Sequence, residues 1–206
     1  MVNYLIIIVV SYLLGSIPSA YLVVRLVSGK DLRTQGSGNI GAMNSYEVTH
    51  KKWIGTVVFF CDAFKGILAV LFVKIVFYGD FPAMALAGLC VLAGHNFSIF
   101  LKFSGGRGLS TAVGVFVLLN PLVIVIWSIF WIITYYLIYK NVHVANACAT
   151  LILPLTTFFI PLSLINSTSL LAVGTSNEFL LSVFLMSALI LIRHIKPIRE
   201  LKKLKD

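Results

Sequence analysis

Residues Trp53–Tyr78 read WIGTVVFFCDAFKGILAVLFVKIVFY, with Asp62, Lys65 and Lys74 as the only charged side chains. A helical crossing of a bilayer needs about 20 predominantly apolar residues, and this stretch exceeds that. Lipid offers no partner to open backbone groups, so spans are helices or closed barrels. The run lacks period-two alternation, which selects a helix. Asp62 and Lys65 stand at i and i+3 and so share a helix face. Charges at membrane depth rarely face lipid, so the two are expected to form an intramembrane ion pair with a mainly structural role.

The rest of the chain follows the same pattern. Of its 206 residues 59% are hydrophobic and 11% charged, and the mean hydropathy is +1.00. Soluble domains are about 45–50% apolar and about 25% charged, so a soluble fold is excluded. Met1, Val2 and Asn3 carry no side-chain charge, and the run after them outlasts a cleavable signal core, so it reads as the first span. Cys61, Cys90 and Cys148 fall in separate apolar stretches with no C-x-x-C spacing, which suggests neither a metal site nor a disulfide framework.

Seven apolar segments are expected: Tyr4–Leu26, Trp53–Tyr78, Ala83–Phe103, Leu109–Leu119, Leu122–Tyr139, Val144–Ile165 and Phe179–Ile192. The fourth is short, and Asn120-Pro121 separates it from the fifth. The formal charge of +9 does not call for nucleic acid, because the placement of the cations explains it. Lys and Arg collect on the cytoplasmic side of membrane proteins. Arg25, Lys30, Arg33, Lys51 and Lys52 surround the first connection, Lys102 and Arg107 the third, and Lys140 precedes Val144. Arg193, Lys196, Arg199, Lys202, Lys203 and Lys205 lie in the tail. One shared side for all of them requires an even number of passes between Arg107 and Lys140. The expected fold is therefore an all-α integral membrane protein, a single transmembrane domain over residues 1–206. It has about seven transmembrane helices, the N-terminus outside and the C-terminus cytoplasmic. The tail from Ile198 reads as a short basic segment attracted to anionic headgroups.

Two loops carry the chemistry. Gly36-Ser37-Gly38-Asn39-Ile40-Gly41-Ala42-Met43-Asn44 suits a nest of backbone N–H groups that binds phosphate, opening toward the helix at Trp53, whose N-terminal dipole would help. Gly94-His95 closes the third span, and Lys102-Phe103-Ser104-Gly105-Gly106-Arg107-Gly108 follows. Its glycines allow close backbone approach, and Arg107 presents a fork matched to phosphate. The charge distribution puts both loops on one face. Arg193-His194-Ile195-Lys196 at the end of the last span reads by itself as an anchor. No G-x-S-x-G, H-E-x-x-H or His-x4-Asp arrangement occurs.

Taken in order, Gly15-Ser-Ile-Pro-Ser-Ala-Tyr21, Asp31-Leu-Arg33, the 36–44 loop, Asp62-Ala-Phe-Lys-Gly66, Gly94-His95, Phe100–Gly108 and Arg193-His194 resemble the acyl-phosphate-dependent glycerol-3-phosphate acyltransferases, the PlsY family. The resemblance spans nearly the whole chain. It implies a multi-pass protein of the bacterial cell (inner) membrane, with seven helices and a cytoplasmic site. The enzyme would move an acyl group from a fatty acyl phosphate to the sn-1 hydroxyl of glycerol 3-phosphate, giving lysophosphatidate, without metal, cofactor or acyl-enzyme. The catalytic residues it suggests are His95, His194 and Ser37. Phosphate and substrate binding would fall to Gly36, Gly38, Asn39, Gly41, Asn44, Gly105, Gly106, Arg107, Gly108, Lys196 and Asn146.

Several positions depart from the family pattern. Arg107 replaces the usual lysine of the Gly-Gly-Lys-Gly loop, and Glu47 stands where an arginine is typical. Asn146 replaces a small hydroxyl residue, and Pro197 replaces the asparagine of His-x-x-Asn, with Lys196 as a substitute donor. The alternative reading is a catalytically impaired paralogue that binds lipid precursors or a membrane partner. A transporter would place helix breaks and charges at the midplane of several spans, whereas these motifs cluster at one face.

Overall fold

The computed structural model describes residues 3–171 and 174–203, all helix or connection. Lys205, counted above in the basic tail, lies outside the described residues, as do Met1 and Val2. The helices are α1 (Tyr4–Ser16), α2 (Ser19–Ser28), α3 (Ala42–Thr49), α4 (Lys52–Phe77), α5 (Phe81–Asn96), α6 (Leu109–Leu119), α7 (Leu122–Ile133), α8 (Val142–Phe158), α9 (Leu162–Thr168) and α10 (Ser176–Lys203).

All seven apolar segments form helix. Among the described residues, four units have the length and hydropathy of a span: Tyr4–Ser28, Lys52–Phe77, Phe81–Leu101 and Ser176–Leu201. The bent pair α8–α9 brings this to five at most, while Leu109–Leu119 and Leu122–Ile138 fall short. The architecture is that of a multi-pass integral membrane protein. α5 is the most buried of the four long units and packs against α1, α4, α6 and α10.

The packing is that of helices in lipid. Leu5, Ile6, Ile8, Val9 and Leu13 of α1 point outward, while Ile7, Ser11, Gly15 and Ser16 are buried. Small residues let the backbones approach. A Cβ on Gly15 would run into the Val91 carbonyl, and one on Gly94 into the Tyr12 carbonyl.

Four expectations need correction. The loop at 36–41 feeds not the Trp53 helix but α3, with Gly41 as its N-cap; AMNSYEVT has too few apolar residues to announce a helix. Val144–Ile165 is not one span, because the chain turns by 116° between α8 and α9. Pro154 lies inside α8, the Thr156 and Thr157 hydroxyls donate back to carbonyls one turn earlier, and Pro161 follows. Such back-bonding and prolines bend helices. The third span ends at Asn96, with a 3-10 turn at Ile99–Leu101. The segment from Ile198 is no separate tail: α10 runs through Pro197 to Lys203.

The break at Asn120-Pro121 does separate two helices. Asn120 Nδ2 donates to the Ile165 carbonyl at 2.8 Å, and its Oδ1 accepts from Thr168 Oγ1 at 3.1 Å. One carboxamide thus ties the α6–α7 turn to α9.

Candidate active site

The first loop is built on Asn44. This residue is buried. Its Oδ1 accepts from Ser37 N at 2.9 Å, and its Nδ2 donates to Asn39 O at 2.9 Å and Gln35 O at 3.2 Å. The loop's entry is held by Asp31, whose carboxylate accepts from Arg33 Nε at 3.0 Å and Nη2 at 2.6 Å. The Arg33 guanidinium holds the Asp31 carboxyl down at about 2. Asn44 therefore shapes the loop and is not part of the cavity lining described below.

The second loop is held by α5 and α10. Gly106 N donates to the His95 carbonyl at 3.0 Å. Arg193 of α10 donates from Nη2 to Gly105 O at 2.8 Å and from Nε to Gly106 O at 3.0 Å. Gly106 has no room for a side chain, since a Cβ would collide with the His95 ring. Gly108 has φ +85 and caps α6, a conformation that favours glycine.

The two loops meet. Ser37, Gly38 and Asn39 of the first and Ser104, Gly105 and Arg107 of the second line one cavity of about 270 Å³, closed by Arg193, Lys196 and Glu200 of α10. Three cations thus face one acid. Burial lowers the Arg107 guanidinium from its ordinary value, Arg193 adds to this, and Glu47 and Glu200 oppose it. An arginine stays charged regardless, so an anion entering here meets charge and backbone N–H groups already in place.

His95 opens on a second, smaller cavity of about 10 Å³ that shares Gly105 with the first. Its Nδ1 lies 3.6 Å from Asp62 Oδ1. Asp62 Oδ1 is also 2.8 Å from Lys65 Nζ, both side chains being buried, and Lys65 Nζ donates to the Ile17 carbonyl at 2.8 Å. The expected ion pair is present and lines the same small cavity as His95. His194 is fully buried, with Nδ1 2.9 Å from the Ile190 carbonyl and Nε2 unpartnered among the described residues. A carbonyl only accepts, so the ring proton sits on Nδ1 and Nε2 presents a lone pair. Asn146 accepts from Trp131 Nε1 at 2.7 Å and does not reach the main cavity. Gly36, Gly41, Gly106, Gly108 and His194 also stand outside its lining.

Two neighbours of the site escaped the sequence reading. Arg193 entered as a membrane anchor and as half of the Arg193-His194 motif, without a role at the site. His143 drew no notice, yet its Nδ1 stands 3.1 Å from Arg107 Nη1. These contacts span 87 and 36 residues of chain, and no local pattern signals them.

The arrangement is thus an integral membrane fold in which two glycine-rich loops line one cavity beside Arg107, Arg193 and Lys196. The glycerol-3-phosphate acyltransferase family model matches residues 5–204, and the chain belongs to that family. It is 35% identical over 191 residues to a glycerol-3-phosphate acyltransferase of Trichlorobacter lovleyi, covering 93% of this chain and 90% of that one. A Syntrophotalea carbinolica protein of the same name is 35% identical over 161 residues, 77% of this chain and 80% of its own. The fold is similar to the crystal structure of PlsY (YgiH), an integral membrane glycerol 3-phosphate acyltransferase, in its glycerol 3-phosphate form. The TM-score is 0.78 at 30% identity, covering 97% of this chain and 92% of that one. The lysophosphatidic acid form of the same enzyme gives 0.77 at 28% identity, with the same coverage.

Proposed function

We propose that this protein transfers a fatty acyl group from acyl phosphate to the sn-1 hydroxyl of glycerol 3-phosphate, releasing inorganic phosphate and forming lysophosphatidate, the first step of phospholipid synthesis. The observation that carries the proposal is the meeting of the Ser37 and Arg107 loops around one cavity with three cations. Acyl phosphate is a mixed anhydride with a good leaving group. The protein has mainly to align hydroxyl and carbonyl and neutralise phosphate charge.

The roles follow from position. Ser37 and the Asn39 amide hold one phosphate, and Arg107 with the Gly105 amide holds the other, with Lys196 at the rim. Arg193 fixes the second loop from behind. The hydroxyl oxygen bonds to the acyl carbon as the carbon–oxygen bond to phosphate breaks. The hydroxyl proton passes to the departing phosphate, and His194, buried behind the cavity lining, orients the groups of α10 that face it. His95, held toward Asp62, fixes the loop glycines. The acyl chain lies in an apolar groove of about 50 Å³ whose lining begins at Leu109, directly after Gly108, and includes Phe116, Trp127 and Met186. The charge distribution supports a site at the cytoplasmic face of a bacterial inner membrane, seven membrane segments, the N-terminus outside and the C-terminus inside.

Replacing Arg107 with alanine removes the charge that neutralises the leaving phosphate. Turnover of purified protein should fall about 10²-fold or more. Retained turnover with intact folding would remove Arg107 from the mechanism. Glu47, which acts electrostatically on Arg107, favours a second reading, an impaired paralogue that binds precursors without turnover. Glycerol 3-phosphate binding by a wild-type protein that forms no product would select it.

A further inference from the structure

We infer that His143 is a positioning residue for Arg107, recruited where this chain carries arginine in its Gly-Gly-Arg-Gly loop; the inference rests on the function proposed above. Arg107 Nη1 and His143 Nδ1 are 3.1 Å apart. A guanidinium only donates, so His143 accepts, is neutral, and carries its proton on Nε2. Its backbone is fixed as well. Asn141, the N-cap of α8, accepts from His143 N at 2.8 Å and Val144 N at 3.2 Å. The imidazole thus projects from the first turn of a helix that packs along α10, the element that clamps the second loop.

Arg107 makes no other side-chain hydrogen bond among the described residues. Held by one nitrogen at its edge, the guanidinium keeps its remaining N–H groups for an anion in the cavity it lines. Without the hold, a long side chain beside Arg193 has every reason to swing outward. Fixing it before an anion arrives reduces the ordering needed on binding. Lysine would have to reach both His143 and a phosphate from one nitrogen, without the planar fork that presents a separate edge to each.

The test is a double-mutant cycle on purified protein in lipid nanodiscs, with His143→Leu, His143→Asn, Arg107→Lys and the Arg107→Lys/His143→Leu double variant. KM for glycerol 3-phosphate and kcat are read in turnover, and thermal stabilisation by glycerol 3-phosphate is read alongside. His143→Leu should raise KM about tenfold with kcat changed by less than about threefold, the signature of lost binding rather than lost chemistry. His143→Asn keeps an acceptor close to the Nδ1 position and should stay within about threefold of wild type. In the Arg107→Lys background the leucine substitution should matter by less than about twofold, because the coupling has already gone. An equal effect of His143→Leu in both backgrounds overturns the inference, as does an asparagine variant as damaged as the leucine one. Wild-type protein that neither turns over nor is stabilised by glycerol 3-phosphate overturns the proposed function, and this inference with it.

Discussion

Asn44 carries one carboxamide into the 36–44 loop and bonds three segments of that loop at once. From sequence it belongs among the phosphate ligands, but the structure gives its polar atoms to the loop itself. Replacement by alanine leaves Ser37 N and the Gln35 and Asn39 carbonyls without this partner, at a cost of about 1–3 kcal/mol. Amides 36–39 should then exchange hydrogen faster in that variant; unchanged exchange would mean that the loop does not depend on Asn44. Other single residues were legible for physical reasons. A glycine run beside Arg107 marks close backbone approach, and the structure brings it to the cavity that Ser37 also lines. Arg193 and His143 were illegible, since an arginine after a membrane helix and a histidine at a helix start have common bland roles. Only the folded chain shows that one clamps Gly105 and Gly106 and the other touches Arg107.

Among the elements, the junction of α1 and α2 shows most clearly how the fold tolerates polarity inside the membrane. Ile17-Pro18 breaks the first span, which the sequence presents as one continuous run. Its exposed carbonyl is met by Lys65 from α4, whose charge is met in turn by Asp62. The pair was readable from its spacing; its target on another helix was not. Lys65→Met removes both contacts and leaves Asp62 buried without its cation, which should destabilise the protein by about 3–5 kcal/mol. The thermal midpoint in detergent measures this, and an unchanged midpoint would show that the pair does not hold the junction. Hydropathy revealed the long spans because twenty apolar residues have few alternatives. It missed α3, whose composition is mixed, and the bend after α8, which Pro161 and the threonine hydroxyls impose.

At the scale of the whole molecule, the proposed orientation puts Lys30, Lys52, Arg107, Lys140 and Arg199 on one side of the membrane and the Asp80 turn on the other. Single cysteines at Lys140 and Asp80, in a background with Cys61, Cys90 and Cys148 replaced, should label with an impermeant thiol reagent from opposite faces of intact cells. Labelling of both from one face would reverse or refold the proposed topology. The orientation matters because both phosphorylated substrates must reach the cavity between the loops from the same compartment. The most direct measurement supplies purified protein with glycerol 3-phosphate and either acyl phosphate or acyl-CoA, and follows lysophosphatidate. Product should form from acyl phosphate and not from acyl-CoA. Product from acyl-CoA alone, or none from acyl phosphate with the fold intact, would contradict the account.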